Sequence, residues 1–252
     1  MSSESTTPPR RQDAPGMMIL DQLIAAREPG PLAPLAILPK DLLARFERTY
    51  TGAVSDVLRE HALLNQALPS ALRHLIPART VAGFAFTVKS VPHTLVSGEM
   101  TLRNEMLKAL HEDAFVVWDA SGDERATQWG GVMTATAHRL GVRGACIDRG
   151  IRDTHQILAK DFPVFFRYQS PNAGLGRCVM THFQTALQVG DVFVCPGDVV
   201  VGDIDGVVVV PRALAVAVLE RVEAMLADEE RIFGWVEEGR SVDEITRRGG
   251  YF

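Results

Sequence analysis

What most limits the folds open to this chain is a change of rhythm partway along it. From Lys40 to about Tyr168, short runs rich in β-branched and aromatic residues alternate with helical patterns. The strand-like runs are VAGFAFTVKSV (Val81 to Val91), AFVVWD (Ala114 to Asp119), Gly144 to Ile147, and VFFRY (Val164 to Tyr168). Helical spacing appears in DLLARFERTY, with Leu42, Leu43 and Phe46, and in TGAVSDVLREHALL behind a Thr51 or Ser55 cap. It recurs in residues 99–111, with Met100, Leu107 and Leu110 inward, and in WGGVMTATAHRL (Trp129 to Leu140), which Gly141 ends as a left-handed cap. Then the order breaks. GDVFVCPGDVVVGDIDGVVVVPR reads as consecutive short strands with tight turns, and Arg212 to about Glu238 as one long amphipathic helix stopped by Gly239. There are too few alternating units for a closed barrel and too many consecutive strands for a doubly wound sheet. The expectation is an α/β fold of layered mixed sheets covered by helices.

The first 40 residues stand apart. Residues 1–16 are rich in Ser, Thr, Pro and Arg and are expected to be disordered or draped on a neighbour. Met18, Leu20, Leu23 and Ile24 suggest a short helix over 17–28, broken at Glu28-Pro29-Gly30-Pro31, and a Pro-rich connector runs to Pro39. The division expected is an extension over 1–40, partly disordered, and one domain over 41–252. A hydrophobic content of 46% is ample for its core. With a net charge of −5 and scattered basic residues, nothing favours a nucleic-acid partner. No apolar run approaches the ~20 residues of a membrane span, and MSSESTTPPRRQDAPG has no apolar signal core. Cys146, Cys178 and Cys195 are widely spaced and odd in number. That argues against a disulfide framework or a zinc site built on Cys pairs, and for buried apolar roles in a cytoplasmic protein.

The stretch GVRGACIDRGIRDTH, Gly141 to His155, carries the densest chemistry. It reads as a strand to Ile147, a tight polar loop over Asp148 to Gly150, and a helix to about Lys160 with Arg152 and Asp153 side by side at its start. An Arg clamps a carboxylate through two parallel hydrogen bonds. The free N–H groups of a helix start favour anions, and an adjacent Asp can hold a hard cation such as Mg²⁺. Together these groups would hold and polarise a small oxo-acid. Plain capping fits the same residues, with Asp153 or Thr154 as cap and Arg152 in solvent; the local sequence leaves both readings open.

Four pieces occur in order: a Gly followed by FTV (Gly83 to Val88), WGGVMTATA (Trp129 to Ala137), GVRGACIDRGIRD (Gly141 to Asp153) and PGDVVVGDIDGVVVVP (Pro196 to Pro211). With the tail EERIFGWVEEGRSVDE, they resemble the RraA-like family over roughly Leu42 to the C-terminus. That family holds class II pyruvate aldolases acting on 4-hydroxy-4-methyl-2-oxoglutarate and 4-carboxy-4-hydroxy-2-oxoadipate, and the protein regulator of ribonuclease E. The resemblance implies a swivelling β/β/α fold, assembly as a homotrimer or homohexamer, and a site between subunits. It implies that Arg152 binds the substrate carboxylate and that Asp153 ligates Mg²⁺ or Mn²⁺. Backbone N–H groups over Gly130, Gly131, Val132 and Met133 would help hold the substrate. A neighbouring subunit's long helix would add an acid that anchors waters on the metal, Glu229 or Glu230. Two departures stand out. Aldolase members usually carry an acid 21 positions before the Arg, where this chain has Gly131, and an acid three positions after the metal Asp, where it has Gln156. The regulatory branch tends to lose the Asp of the pair; its presence as Asp153 favours an enzyme.

Retro-aldol cleavage of a 4-hydroxy-2-oxo acid builds negative charge on the 2-oxo oxygen as pyruvate enolate forms. A divalent cation would stabilise that charge, and Arg152 would hold the carboxylate and add positive field. Water would take the C4 hydroxyl proton, since no side chain is an obvious base. Oxaloacetate decarboxylation passes through the same enolate and is expected as a second activity. The expected function is therefore a divalent-metal-dependent lyase releasing pyruvate from a small 2-oxo acid. The alternatives are a non-catalytic regulator of a ribonuclease or other protein, and a related metal enzyme for another hydroxy or sugar acid. Lys89, on a strand, is a weak candidate for a Schiff-base nucleophile. Asp203 and Asp205 in GDIDG suit a hairpin turn better than a metal pair, and Asp119 to Asp123 suits a turn. His93, His138, His155 and His182 are isolated. No strand–GxGxxG–helix unit occurs, so no dinucleotide is expected.

Overall fold

The computed structural model describes residues 32–77 and 79–251, and the helix expected over 17–28 lies outside them. Two helices, α1 (Pro39–Phe46) and α2 (Thr51–Glu60), precede a short strand β1 (Arg73–His74). Then come the elements that build the centre of the sheet. β2 (Val81–Pro92), β3 (Ala114–Asp119), β5 (Gly144–Ile151) and β6 (Val164–Gln169) run parallel, with β4 (Thr127–Trp129) alongside the far end of β5. They are connected through α3 (Glu99–Ala109), α4 (Gly131–Arg139) and α5 (Thr154–Leu158). β7 (Cys178–Phe183) and β10 (Val199–Gly202) pair antiparallel with the two ends of the long β2, and β11 (Val207–Val210) closes that edge beyond β10. β1 closes the other edge, antiparallel to β6. β8 (Leu187–Val189) and β9 (Val192–Val194) form a separate hairpin. A 3₁₀ turn at Arg212–Leu214 leads into the long α6 (Ala215–Glu237), and α7 (Val242–Arg247) follows.

Period-two alternation divides the core. Phe86, Val88, Val116, Trp118, Ala145 and Ile147 face α3, α4 and α5. Ala85, Phe115, Val117, Cys146 and Phe165 face the other way, against Leu187, Val189, Val192 and Val194 of the hairpin. A third cluster joins α1, α2 and α6 to β10 and β11. Hairpin, sheet and helices thus make the layered mixed α/β fold expected. Cys146 and Cys178 are buried free thiols. No helix among the described residues is long and apolar enough to cross a membrane.

Several local expectations need correction. Asp148 to Gly150 is strand rather than loop, because Gly150 and Ile151 still pair with Tyr168 and Gln169 of β6. The helix after it ends at Leu158, not Lys160. Trp129 belongs to β4 rather than to the helix that follows. On α3 the buried methionine is Met106, while Met100 is 52% exposed. The GDIDG segment is a hairpin turn whose first Asp also serves a helix: the Asp203 carboxylate accepts from Thr51 N and Oγ1, both at 2.7 Å, at the start of α2.

Candidate active site

The parallel strands end where ligands bind in open α/β sheets, beyond their carboxyl edges. β4 and β5 lie side by side there, so the residues that follow them are brought together. Trp129 ends β4 and is 1% exposed. Its indole Nε1 donates to Thr134 Oγ1 (2.8 Å), which in turn donates to Gly130 O (3.0 Å), fixing the first turn of α4. Arg152 follows β5, and its N–H donates to Trp129 O (3.0 Å). Tyr168 steadies the approach to β4 by donating to Ala126 O (2.8 Å) and Asp123 O (3.0 Å); burial pushes its phenol up to about 12, so it stays a neutral donor.

Asp153 does not make the bond that its own helix offers it. It sits in the left-handed region (φ 54°, ψ 35°) before α5 but makes no side-chain cap to that helix. Its Oδ2 instead accepts from Gly131 N of α4 (3.1 Å), with Arg152 Nε at 3.4 Å. The Asp153 carboxylate thus serves the first N–H of α4 and not its own helix. The expected source of free N–H groups is corrected: α5 has 5 residues, and the helix start facing the pair belongs to the 9-residue α4. Gly130, its first flanking residue, supplies no side-chain cap, so the N–H groups of Val132 and Met133 remain open to a ligand. Close approach explains the glycine: a Cβ on Gly130 would stand 2.7 Å from Asp153 Oδ2.

These groups line a cleft of about 460 Å³. Its walls include Gly130, Val132, Met133, Arg152 and Asp153, as the sequence suggested, together with Glu99, Arg103 and Asn104 of α3 and the loop at Ala173–Leu175. The α3 contribution escaped the sequence reading; its signal was the i,i+4 pair Glu99–Arg103, an ion pair whose carboxylate is 1% exposed. Gly131 lies behind the cleft wall, against Gln156. Glu229 accepts from Tyr50 OH (2.6 Å) and lines a different cavity with Asp56, Arg221 and Tyr251, so within one protomer neither Glu229 nor Glu230 approaches Asp153. Lys89 is tied to the 8%-exposed Asp119 carboxylate and does not line the cleft.

The donor set can be tested against a divalent cation. No cluster of three or more His, Cys, Asp or Glu side chains among the described residues forms a closed metal cage. Asp153 Oδ2 is engaged, and its Oδ1 has no partner among the described residues. One free carboxylate oxygen at an open cleft suits a hard ion that keeps most of its waters, such as Mg²⁺, and does not suit a structural zinc.

Known proteins agree with this architecture. A protein of Halalkalibacterium halodurans whose name proposes 4-hydroxy-4-methyl-2-oxoglutarate aldolase activity is 32% identical over 197 residues, covering 75% of this chain and 86% of that one. A crystal structure described under novel cellulases from microbes associated with the gut ecosystem is 53% identical, with a TM-score of 0.83 over 86% of this chain and 97% of that one. RraAS2 of Streptomyces coelicolor, described as an unusual member of the RNase ES inhibitor RraA family, shares the fold at 23% identity, with a TM-score of 0.69 over 80% of this chain and 98% of that one. The family model described as Aldolase/RraA matches residues 51–209. The chain therefore belongs to the RraA-like family.

Proposed function

We propose that this protein is a divalent-metal-dependent carbon–carbon lyase, cleaving a 4-hydroxy-2-oxo dicarboxylic or tricarboxylic acid to pyruvate and decarboxylating oxaloacetate as a second activity. The observation that carries the reading is the Asp153 carboxylate, turned away from its own helix onto the start of α4 beside Arg152. The aldolase name of the Halalkalibacterium relative supports it. Mg²⁺ or Mn²⁺ held at Asp153 would supply Lewis-acid stabilisation of charge on the 2-oxo oxygen. Arg152 grips the substrate carboxylate by two parallel hydrogen bonds. The N–H groups of Val132 and Met133 add fixed donors whose orientation costs nothing at the moment of reaction. Trp129 and Thr134 hold those donors still. The C4 hydroxyl proton leaves to water: Glu99 is held by Arg103 and Met180 N (2.7 Å), and the one free oxygen of Asp153 is the one that would hold the metal.

In this reading the chain assembles as a homotrimer or homohexamer in the cytoplasm, and Glu229 or Glu230 of a neighbouring subunit completes the surroundings of the metal. Glycoside hydrolysis, suggested by the cellulase description, needs two free carboxylates flanking the bond. The cleft has Glu99 and Asp153, and Glu99 is fully engaged.

The test is pyruvate release from oxaloacetate and from 4-hydroxy-4-methyl-2-oxoglutarate with Mg²⁺, with Mn²⁺ and with a chelator. Release is expected to need metal and to disappear in Asp153→Ala with the fold intact. Full activity in that variant refutes the reading, and no release under any condition leaves the non-catalytic regulator and the related enzyme for another hydroxy or sugar acid.

A further inference from the structure

We infer that Arg103 is the residue of this cleft that receives the carboxylate distal to the ligand's 2-oxo acid end. This rests on the function proposed above and adds the residue that selects the substrate.

The guanidinium of Arg103 is held in a fixed place. Its Nε (3.1 Å) and Nη2 bind Glu99 Oε1, and the other oxygen of that carboxylate accepts from Met180 N (2.7 Å). Its carbon lies 5.3 Å from the centroid of the buried Trp118 ring. A guanidinium has more than one donor edge, and Glu99 occupies one. The remaining nitrogen, Nη1, has poor partners: Gln128 O at 3.3 Å and the Met133 thioether at 3.6 Å. Both contacts are long for a cationic donor, which pairs with carboxylates at about 2.7–2.9 Å. A ligand carboxylate would improve on them.

The position suits a ligand gripped at both ends. Arg103 and Arg152 line the same cleft. Met133 joins the two regions: its side chain touches Arg103 Nη1, and its backbone N–H belongs to the open helix start beside Asp153. One residue, Met133, thus borders both subsites, so a single short ligand can face the two of them. The exposed amide of Asn104 lines the same wall. A cleft of about 460 Å³ also leaves room well beyond a three-carbon acid.

The test compares equilibrium binding of 2-oxoglutarate and 2-oxopentanoate to the full chain with Mg²⁺, by calorimetry. The two acids have the same length and the same 2-oxo acid end; only the first has a distal carboxylate. Binding of 2-oxoglutarate is expected to be about tenfold tighter or more, the worth of one charge-assisted hydrogen bond. Arg103→Lys keeps a positive charge opposite Glu99 but has no second donor edge; it should erase the advantage and leave 2-oxopentanoate binding unchanged. Glu99→Gln, which relieves Arg103 of its counter-charge, should enlarge the advantage. Arg152→Ala should weaken both acids alike, which reports on the proposed function separately. An undiminished advantage in Arg103→Lys overturns the subsite while the function stands. Equal weakening of both acids in that variant assigns Arg103 a structural role and also overturns it. Failure of both acids to bind the unaltered protein overturns subsite and function together.

Discussion

Gly130→Ala isolates the contact on which the candidate site depends. Gly130 has an extended backbone (φ −159°, ψ −170°) that any residue adopts, so the substitution tests space and not strain. The new methyl would stand 2.7 Å from Asp153 Oδ2 and 3.2 Å from Arg152 Cγ, where ordinary contact begins at 3.4 Å. The carboxylate must retreat by about 0.7 Å, the difference between 2.7 and 3.4 Å. Its hydrogen bond from Gly131 N is already 3.1 Å and would be lost. A hydrogen bond to a charged group is worth about 1.5–3 kcal/mol, or roughly 10- to 150-fold in an equilibrium constant. The expected outcome is that oxaloacetate decarboxylation needs at least about tenfold more Mg²⁺ for half-maximal rate. Urea unfolding should register the same lost bond, about 1.5–3 kcal/mol, since it is made in the folded chain without metal. Gly131→Ala provides the contrast. Its methyl would meet Gln156 Oε1 at 1.7 Å and Cβ at 3.0 Å; Gln156 is exposed, so adding Gln156→Ala removes the amide and should restore most of what Gly131→Ala loses, the Cβ contact remaining. Gly130→Ala should gain nothing from Gln156→Ala. A Gly130→Ala protein with unchanged kcat/KM and unchanged Mg²⁺ dependence would refute the claim that this contact sets the position of Asp153.

Two further outcomes concern stability. Both ring nitrogens of His74 are buried without a hydrogen-bond partner, the ring stacks on Phe165 at 4.1 Å, and burial pushes its pKa down from 6.5 to about 4. The unfolded chain therefore takes up a proton that the folded one refuses, and stability should fall as pH drops from 6.5 towards about 4. The loss is about 2–3 kcal/mol at most, and His74→Phe should remove that part of the acid sensitivity; equal acid sensitivity in the two proteins by urea titration would contradict this. Thr134→Val keeps the shape of the side chain but leaves the buried Trp129 Nε1 without an acceptor, at an expected cost of about 1–3 kcal/mol by urea unfolding; an unchanged midpoint would show that the indole has another partner.

The sheet was legible because its strands announce themselves. VAGFAFTVKSV, AFVVWD and VVVV are buried along their whole length or nearly so, and continuous apolar runs are what doubly covered strands require. Cys178–Phe183 was not legible, since CVMTHF mixes buried and exposed positions on a strand attached to one end of β2. The Arg152–Asp153 pair was found, but its geometry was not. Local sequence offers Asp153 the helix that follows it, and only the pairing of β4 with β5 reveals the competing donor, Gly131 N. Arg103 was invisible for a similar reason. An i,i+4 Glu–Arg pair on a helix usually lies in solvent, and nothing local shows that α3 packs this one into the wall of a cleft.

The two departures from the aldolase pattern prove to be neighbours. Gly131 and Gln156 lie 25 positions apart in the chain, yet the Gln156 amide occupies the space that any side chain at 131 would enter. They are one local exchange rather than two separate losses, and the exchange alters the charge balance of the site. The ionisable residues lining the cleft are Glu99, Asp153, Arg103 and Arg152, which sum to zero. A divalent cation raises that sum to plus two, which a dicarboxylate returns to zero. Acids at both exchanged positions would lower the charge around the metal by two, and the aldolases that the resemblance implies take dicarboxylates and tricarboxylates with those acids in place, so the exchange by itself does not set the number of carboxylates. The missing acids therefore need not signal a lost activity. In the proposed function, the loss of two nearby negative charges weakens the hold on a divalent cation, and the sign of that change follows from Coulomb's law.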